Sequence, residues 1–275
     1  LSSFRYEGFD YLKSSLVPDF WRVNTDNDDW DSENNVWKNA ISKMQILQVT
    51  VEPATAVSKK EKKYEQIKVH VKTQFTVSEK PQHTIFFDTD YTVHADGSIR
   101  VDNYFTPNYY NGESNMSIPR IGQVVNMNSE LSLAQWYGRG PWENYSDRKT
   151  SALVGEYEMP VSELPYNYIR PQENGYRTDV RWLKLKSPDG HALKITGAPI
   201  FCFNIQFTGQ DGYFTNDGAR MRSSVNMVKE QNYYLNIDYA QKGVGGDNSW
   251  GKPVHSEYLV LLRYHAYSFW LQPEL

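Results

Sequence analysis

Three segments of the sequence concentrate the residue types that could contact or transform a polar ligand. They read YGRGPWENYSDR at 137–148, RPQENG at 170–175 and DYAQKGVGGDNSWG at 238–251. Paired carboxylates can act as general acid and base when a fold holds them at a suitable separation, and amide side chains can hydrogen-bond hydroxyl groups. Spacing along the chain does not give that separation in space. The segments therefore nominate residues without identifying a reaction.

The third segment is a glycine-rich loop that ends in an aromatic residue. Gly243, Gly245 and Gly246 precede Asp247-Asn248-Ser249-Trp250, and glycine tolerates backbone conformations that other residues avoid. The loop can therefore turn sharply and present the side chains that follow it. Trp250 is then either an exposed contact surface for a ligand or a lid that folds back over the core, and the sequence leaves both interpretations open.

Several common catalytic motifs are absent from the sequence. It contains no Gly-x-Gly-x-x-Gly, P-loop, His-Glu-x-x-His or Gly-x-Ser-x-Gly pattern. The six histidines, at positions 70, 83, 94, 191, 255 and 265, lack metal-ligand spacing. Cys202 is the single cysteine, which excludes an intramolecular disulfide and a cysteine-rich zinc site. One free thiol is compatible with either the cytoplasm or the periplasm.

Net charge argues against nucleic acid as a partner, and the length of the apolar runs argues against a membrane. Lys and Arg number 29 against 33 Asp and Glu, giving a net charge of −4, whereas a protein that binds the phosphate backbone normally carries a basic excess. No run approaches the roughly 20 consecutive apolar residues of a membrane-spanning helix. We therefore expect neither nucleic acid nor a membrane as partner.

The elements that must position these segments are predicted to be strands. The chain has 8 Trp, 20 Tyr and 12 Phe, residue types that favour half-buried pleated surfaces. Val69, Val71, Phe75 and Val77 alternate with polar residues, which predicts a strand with these four side chains turned inward. A strand is also predicted around 257–263, and one short helix within 33–44.

Turn signals recur between the predicted strands at intervals of roughly ten residues, a pattern typical of a β-sandwich. Asp96-Gly97 and Asp189-Gly190 are two such signals. No Pro/Ser-rich linker divides the chain. We therefore predict one all-β domain, a large antiparallel sandwich, over 1–275, with an irregular segment at 1–40 and the sandwich at 41–275.

Four motifs in order make the sequence recognisable. FWRVNTDND (20–28), GRGPWENYSDR (138–148), PQENG (171–175) and LNIDYAQKGVGGDNSWG (235–251) resemble the C-terminal domain of the large bacterial β-galactosidases of glycoside hydrolase family 2. The resemblance covers nearly the whole chain. It implies an antiparallel β-supersandwich that is similar to galactose mutarotases.

The resemblance also implies which parts of the enzyme lie elsewhere. The family's catalytic glutamates belong to a (β/α)8 barrel, and the present sequence shows no βαβ alternation, so we expect no catalytic residue here and no hydrolysis by this chain alone. The complete enzyme would hydrolyse terminal β-D-galactosides. Implied partners are the barrel of the same parent chain, a galactoside or aglycone sugar, and further copies in a homo-oligomer. No cofactor is expected in this chain, and divalent and monovalent cations are expected in the barrel.

The resemblance assigns roles to particular residues. Residues expected to bind the aglycone side of the substrate, together with the barrel, are Trp250, Asp247 and Asn248. Residues expected to form an active-site loop are Asp29, Trp30, Asp31, Ser32 and Glu33. Residues of the family motifs expected to be structural are Glu143, Asn144, Arg148, Glu173 and Asn174. Two alternative functions remain open: an independent carbohydrate-binding module and an aldose mutarotase-like enzyme.

Overall fold

The computed structural model describes residues 1–30, 36–52, 66–77, 84–108, 116–248 and 252–275. Fourteen strands lie in these residues. They are β1 (Arg5–Tyr6), β2 (Phe9–Asp10), β3 (Val17–Asp19), β4 (Met44–Glu52), β5 (Gln66–Thr76), β6 (Thr84–His94), β7 (Ile99–Asn108), β8 (Arg120–Met127), β9 (Leu133–Gly140), β10 (Leu153–Pro160), β11 (Arg177–Lys186), β12 (Ala192–Gln206), β13 (Tyr233–Gln241) and β14 (His265–Glu274). Short 3-10 turns lie at Asp28–Trp30, Ile41–Lys43, Val161–Glu163, Gln210–Tyr213, Ser224–Asn226 and Ser256–Tyr258.

Twelve of these strands form one antiparallel sheet that branches. Its main path runs β10-β9-β11-β12-β14-β7-β6-β5-β4, and β12, β13, β8 and β3 form the second branch. The branch point is the long strand β12, because Ala192–Ala198 pairs with β14 whereas Cys202–Gln206 pairs with β13. Pro199 lies between the two paired stretches, where a residue without a backbone N–H costs no ladder bond. The all-β antiparallel prediction is confirmed.

The core is one cluster of buried side chains to which strands of both branches contribute. Strand residues alternate between faces, so in β6 the side chains of Ile85, Phe87 and Tyr91 are buried while their neighbours are half-exposed. Of the residues predicted to point inward, Phe75 and Val77 are buried, and Val69 and Val71 pack against the core with partial exposure. The period-two prediction for this strand is confirmed.

Two details differ from the sequence-based expectation. The segment 1–40 contains three short strands, and β3 joins the main sheet beside β8. The strand predicted around 257–263 is wrong, because the segment begins with the turn Ser256–Tyr258 and makes only an isolated bridge at Leu261. Its apolar pattern instead reflects burial of Val260 and Leu262, which pack into the core without a continuous ladder.

Candidate functional site

The motif segments of the sequence meet at one open cleft of about 510 Å³. Each wall is a loop that follows or precedes a strand of the sheet. The lining residues are Thr25, Asp26, Asn27, Tyr145, Arg148, Tyr168, Gln172, Glu173, Val244, Gly245, Gly246, Asp247 and Asn248. Segments far apart in sequence thus share one surface, rich in backbone amides, carboxylates and tyrosines.

Arg22 joins the acidic N-terminal loop to the glycine-rich loop. Its buried guanidinium donates to both carboxylate oxygens of Asp28, at 3.0 Å each, and to the carbonyl oxygens of Lys242 and Gly243, the latter at 2.8 Å. Burial alone would raise the pKa of Asp28, but its charge and hydrogen-bond contacts with Arg22 outweigh that effect and place the pKa well below its usual range. The bidentate pair holds the two loops in one arrangement.

Asp147 fixes the backbone of the glycine-rich loop from the opposite side. Its Oδ1 accepts a hydrogen bond from Val244 N at 3.1 Å, and its Oδ2 accepts one from Gly245 N at 2.7 Å. The carboxylate lies so close that a Cβ at Gly243 would come within 2.6 Å of the Asp147 Cγ. The glycine at 243 therefore allows close approach of the side chain that anchors the loop.

The first Pro-x-Glu-Asn motif braces the turns beneath the cleft. Asn144 is fully buried, and its Oδ1 accepts bonds from the Thr178 backbone N at 3.0 Å and Thr178 Oγ1 at 2.6 Å. Glu143 Oε2 accepts from Gly175 N at 2.7 Å, and its Oε1 accepts from Arg148 and Tyr168. Glu143 thereby ties its own turn to the end of the second Pro-x-Glu-Asn motif.

The second motif connects the cleft to a buried ion network. Glu173 accepts from Asn204 Nδ2 at 2.7 Å and from Arg120 at 3.1 Å. Burial raises the pKa of Glu173, although the positive charge of Arg120 counters part of that effect. Asn174 Oδ1 accepts from Tyr166 N at 3.0 Å and its Nδ2 donates to the Gln172 carbonyl at 2.9 Å. Both side chains hold the loop that forms one wall.

Asp247 and Asn248 lie on the exposed side of the cleft, at the end of the glycine-rich loop. Asp247 contacts Lys252 Nζ at 2.8 Å and His255 Nε2 at 2.7 Å. The hydrogen bonds that Asp247 accepts from Lys252 and His255 lower the pKa of Asp247, and donation to Asp247 raises the pKa of His255. Asn248 Oδ1 accepts from the Lys252 backbone N at 3.4 Å. Both predicted residues are thus at the cleft, and Trp250 lies outside the described residues.

The predicted active-site loop begins at a charged cluster on the cleft rim. Asp29 and the neighbouring Asp26 contact two cations, Arg170 and Arg220, at 2.5–3.1 Å. Trp30 ends the short turn Asp28–Trp30, and Asp31, Ser32 and Glu33 lie outside the described residues. The described start of the loop is therefore anchored by ion pairs to two other segments.

The carboxylates of the cleft are all engaged by donors within the described structure. Their partners are Arg170 and Arg220 for Asp26, Lys252 and His255 for Asp247, and Arg120 and Asn204 for Glu173. No group of three metal-ligating residues occurs in the described ranges. Each of these carboxylates therefore already has hydrogen-bond donors within the protein.

No helix in the described part of the chain is long and apolar enough to span a membrane.

Sequence reasoning missed Arg22, Asp147 and Tyr168. Arg22 and Asp147 belong to quoted motifs, but their partners lie 221 and 98 residues away, at Gly243 and Gly245. The sequence contains only a partial signal: a loop with three glycines needs a bonding partner to hold one conformation, and Asp147 lies in one of the quoted motifs, but nothing in the spacing pairs the two.

Comparison with known proteins identifies relatives over nearly the whole chain. The family model described as beta galactosidase small chain matches residues 1–271. The beta-galactosidase of Priestia megaterium is 29% identical over 281 residues, covering 98% of this chain and 24% of that protein. The beta-galactosidase of Vibrio cholerae is 36% identical over 155 residues, covering 56% of this chain and 14% of that protein. The chain thus spans at most about a quarter of these relatives.

A solved structure also aligns with the chain at low identity. Galactose 1-epimerase from Lactobacillus acidophilus aligns with a TM-score of 0.40 and 8% identity, covering 82% of this chain and 66% of that protein. The fold described above rests on the chain's own strand pairing.

Proposed function

The chain belongs to the beta galactosidase small chain family, and we propose that it forms the non-catalytic wall of a β-galactosidase active site. In this proposal the catalytic part of the enzyme hydrolyses terminal β-D-galactosides, and the cleft described above faces it. The chain supplies contacts to the aglycone sugar and excludes water from the open side of the catalytic pocket.

The observation that carries the proposal is the convergence of the motif segments on one open cleft. Its walls carry the backbone of Val244–Gly246, the amide of Asn27 and the carboxylate of Asp247. Several of these groups are bonded within the chain, but a carbonyl or carboxylate oxygen can accept a second hydrogen bond. Such groups suit the hydroxyls of a sugar. A cleft built from firmly held loops is also suited to a shared site, because its geometry is set before the partner surface arrives.

Trp250 is proposed as the aglycone platform of this wall. It follows the anchored part of the glycine-rich loop by a few residues, so Arg22 and Asp147 limit where the loop can present it. The segment beginning at Asp29 is proposed as a neighbouring active-site loop. A stacking indole would contribute apolar contact to the ring of the aglycone sugar, and the galactose ring would remain in the catalytic part.

A chimaera tests the proposal. This chain would replace the matched quarter of the Priestia megaterium enzyme, and turnover of a nitrophenyl galactoside would be compared with that of the truncated enzyme. We expect the chimaera to be active. We expect its Trp250→Ala variant to lose galactosyl transfer to added glucose, and to lose less of its hydrolysis of the nitrophenyl galactoside. A folded chimaera no more active than the truncated enzyme would refute the proposal that this chain forms a wall of the active site. Unchanged acceptor transfer in Trp250→Ala would refute the role of Trp250.

A further inference from the structure

A second cavity, of about 260 Å³, lies on the polar face of the second sheet branch. Its floor follows the strand register: Val17, Val124, Asn236 and Asn204 are successive partners across β3, β8, β13 and β12. Because paired residues share a face, these side chains line one row. The next row is Asn126, Tyr234 and Gln206, and every residue of both rows lines the cavity.

The walls combine amide side chains with apolar and aromatic groups. Tyr213 is buried over the floor, and Tyr234 stands half-exposed at the side. Asn204 donates through Nδ2 to Glu173, whereas its buried Oδ1 has no hydrogen-bond partner in the described structure. A buried acceptor without a donor is destabilising, because it has lost its hydrogen bond to water. A hydroxyl group of a ligand would supply the missing donor once the Asn204 amide turned toward the cavity that it lines.

The charges beneath the cavity are paired with one another. Arg120 contacts Asp19 at 2.9 Å and Glu173 at 3.1 Å, and it lies 3.1 Å from Asp238. Burial raises the pKa of Asp238 well above its usual range, which favours its neutral form. Arg22, on the wall nearest the cleft, is held by Asp28. These described groups offer no unpaired charge to an ionic ligand, so the chemistry favours a neutral one.

The volume of the cavity suits a ligand with a single ring. Sites for drug-sized molecules usually enclose about 300–1,000 Å³, and this cavity is smaller. The C–H face of a pyranose can contact Val17, Val124 and the ring of Tyr213, while its hydroxyls reach Asn204 and Asn236. We propose that this cavity binds a neutral monosaccharide, at a site separated from the cleft by the shared side chain of Glu173. The proposal does not depend on the chain's role in a galactosidase.

Titration of the ¹⁵N-labelled chain with D-galactose, D-glucose and cyclohexanol tests the proposal. We expect saturable NMR shifts from at least one sugar at the amides of Asn204, Gln206 and Asn236. Val124→Phe, which fills the cavity, should weaken this binding at least tenfold. Tyr234→Ala, on the half-exposed wall, should also weaken this binding, and it tests the site if Val124→Phe fails to fold. Val154→Phe, at an exposed valine of β10 outside both sites, is the matched control and should leave the binding unchanged.

Three outcomes would overturn the proposal. The first is the absence of shifts at these amides with either sugar up to about 100 mM, a concentration at which even millimolar binding saturates. Sugar shifts confined to 244–248 and lost in Asp247→Ala would place binding in the cleft instead. Binding of cyclohexanol without either sugar would show an apolar pocket. None of these outcomes bears on the chimaera experiment, so the two proposals fail separately.

Discussion

Replacing Asp147 with Asn should loosen the glycine-rich loop while leaving the sheet intact. The two carboxylate oxygens of Asp147 accept from Val244 N and Gly245 N at 3.1 and 2.7 Å. An amide keeps one acceptor and turns an NH₂ group toward the second backbone donor, so one bond is lost and the other loses its charge assistance.

The expected loss in local opening free energy follows from the strength of the hydrogen bonds to the Asp147 carboxylate. A hydrogen bond to a charged group contributes about 1.5–3 kcal/mol when buried, and the partial exposure of Asp147 reduces this to roughly 1–2 kcal/mol. A loss of about 1.4 kcal/mol in local opening free energy is a tenfold change. We therefore expect hydrogen exchange of the amides in 243–246 to accelerate about tenfold, while exchange in β12 and β13 stays unchanged.

Hydrogen exchange measured by mass spectrometry provides the assay, with Asp96→Asn as matched control. Asp96 also accepts a backbone N–H, from Ser98 at 2.9 Å, but in a distant hairpin turn. The control should accelerate exchange only in its own turn. Unchanged exchange at 243–246 in Asp147→Asn would refute the anchoring role. Equal acceleration throughout the sheet would also refute it, because Asp147 would then support global stability rather than the loop.

Three further changes test the network around the cleft. Gly243→Ala should accelerate exchange of the same loop, since its Cβ would lie 2.6 Å from the Asp147 Cγ; unchanged exchange would contradict the close approach. Asp247→Asn should lower the pKa of His255, measured by NMR titration, because Asp247 raises it. In the unchanged protein the Asp247–His255 attraction is present below the His255 pKa and fades as pH rises through it; an unaltered pKa in the variant would refute the pair. Arg120→Met should lower the unfolding free energy by about 3–5 kcal/mol in urea, since it strands buried carboxylates; a change under 1 kcal/mol would refute that.

The sequence predicted the local features of the fold well because strand formation leaves a local pattern. Alternation at Phe75 and Val77 marks the buried face directly. The branch at β12 leaves no such mark, because it depends on which distant strands pair with Ala192–Ala198 and with Cys202–Gln206. An apolar run misled the prediction at 257–263, where burial of Val260 occurs without a ladder.

The sequence likewise predicted some residues of the candidate site and missed others. Motif membership selected Asp247, Asn248 and Glu173, and all three line the cleft. The residues that hold the cleft together were missed because hydrogen bonds over 98 to 221 residues cannot be read from spacing. The roles of Trp250 and of the loop from Asp29 to Glu33 stay predictions.

The buried ion network beside the cleft is better explained by positioning than by stability. Taking charges out of water costs several kcal/mol per ion, and well-packed apolar residues often stabilise a fold at least as well. Arg120 nevertheless links Asp19 at the end of β3, Glu173 in the loop before β11, and Asp238 within β13. Each contact fixes one segment relative to the others. An apolar core residue could not do this, because its contacts have no preferred direction, whereas hydrogen bonds do. We infer that the network serves to hold the cleft wall and the neighbouring cavity in register, which is the requirement that a site shared with another protein surface would impose.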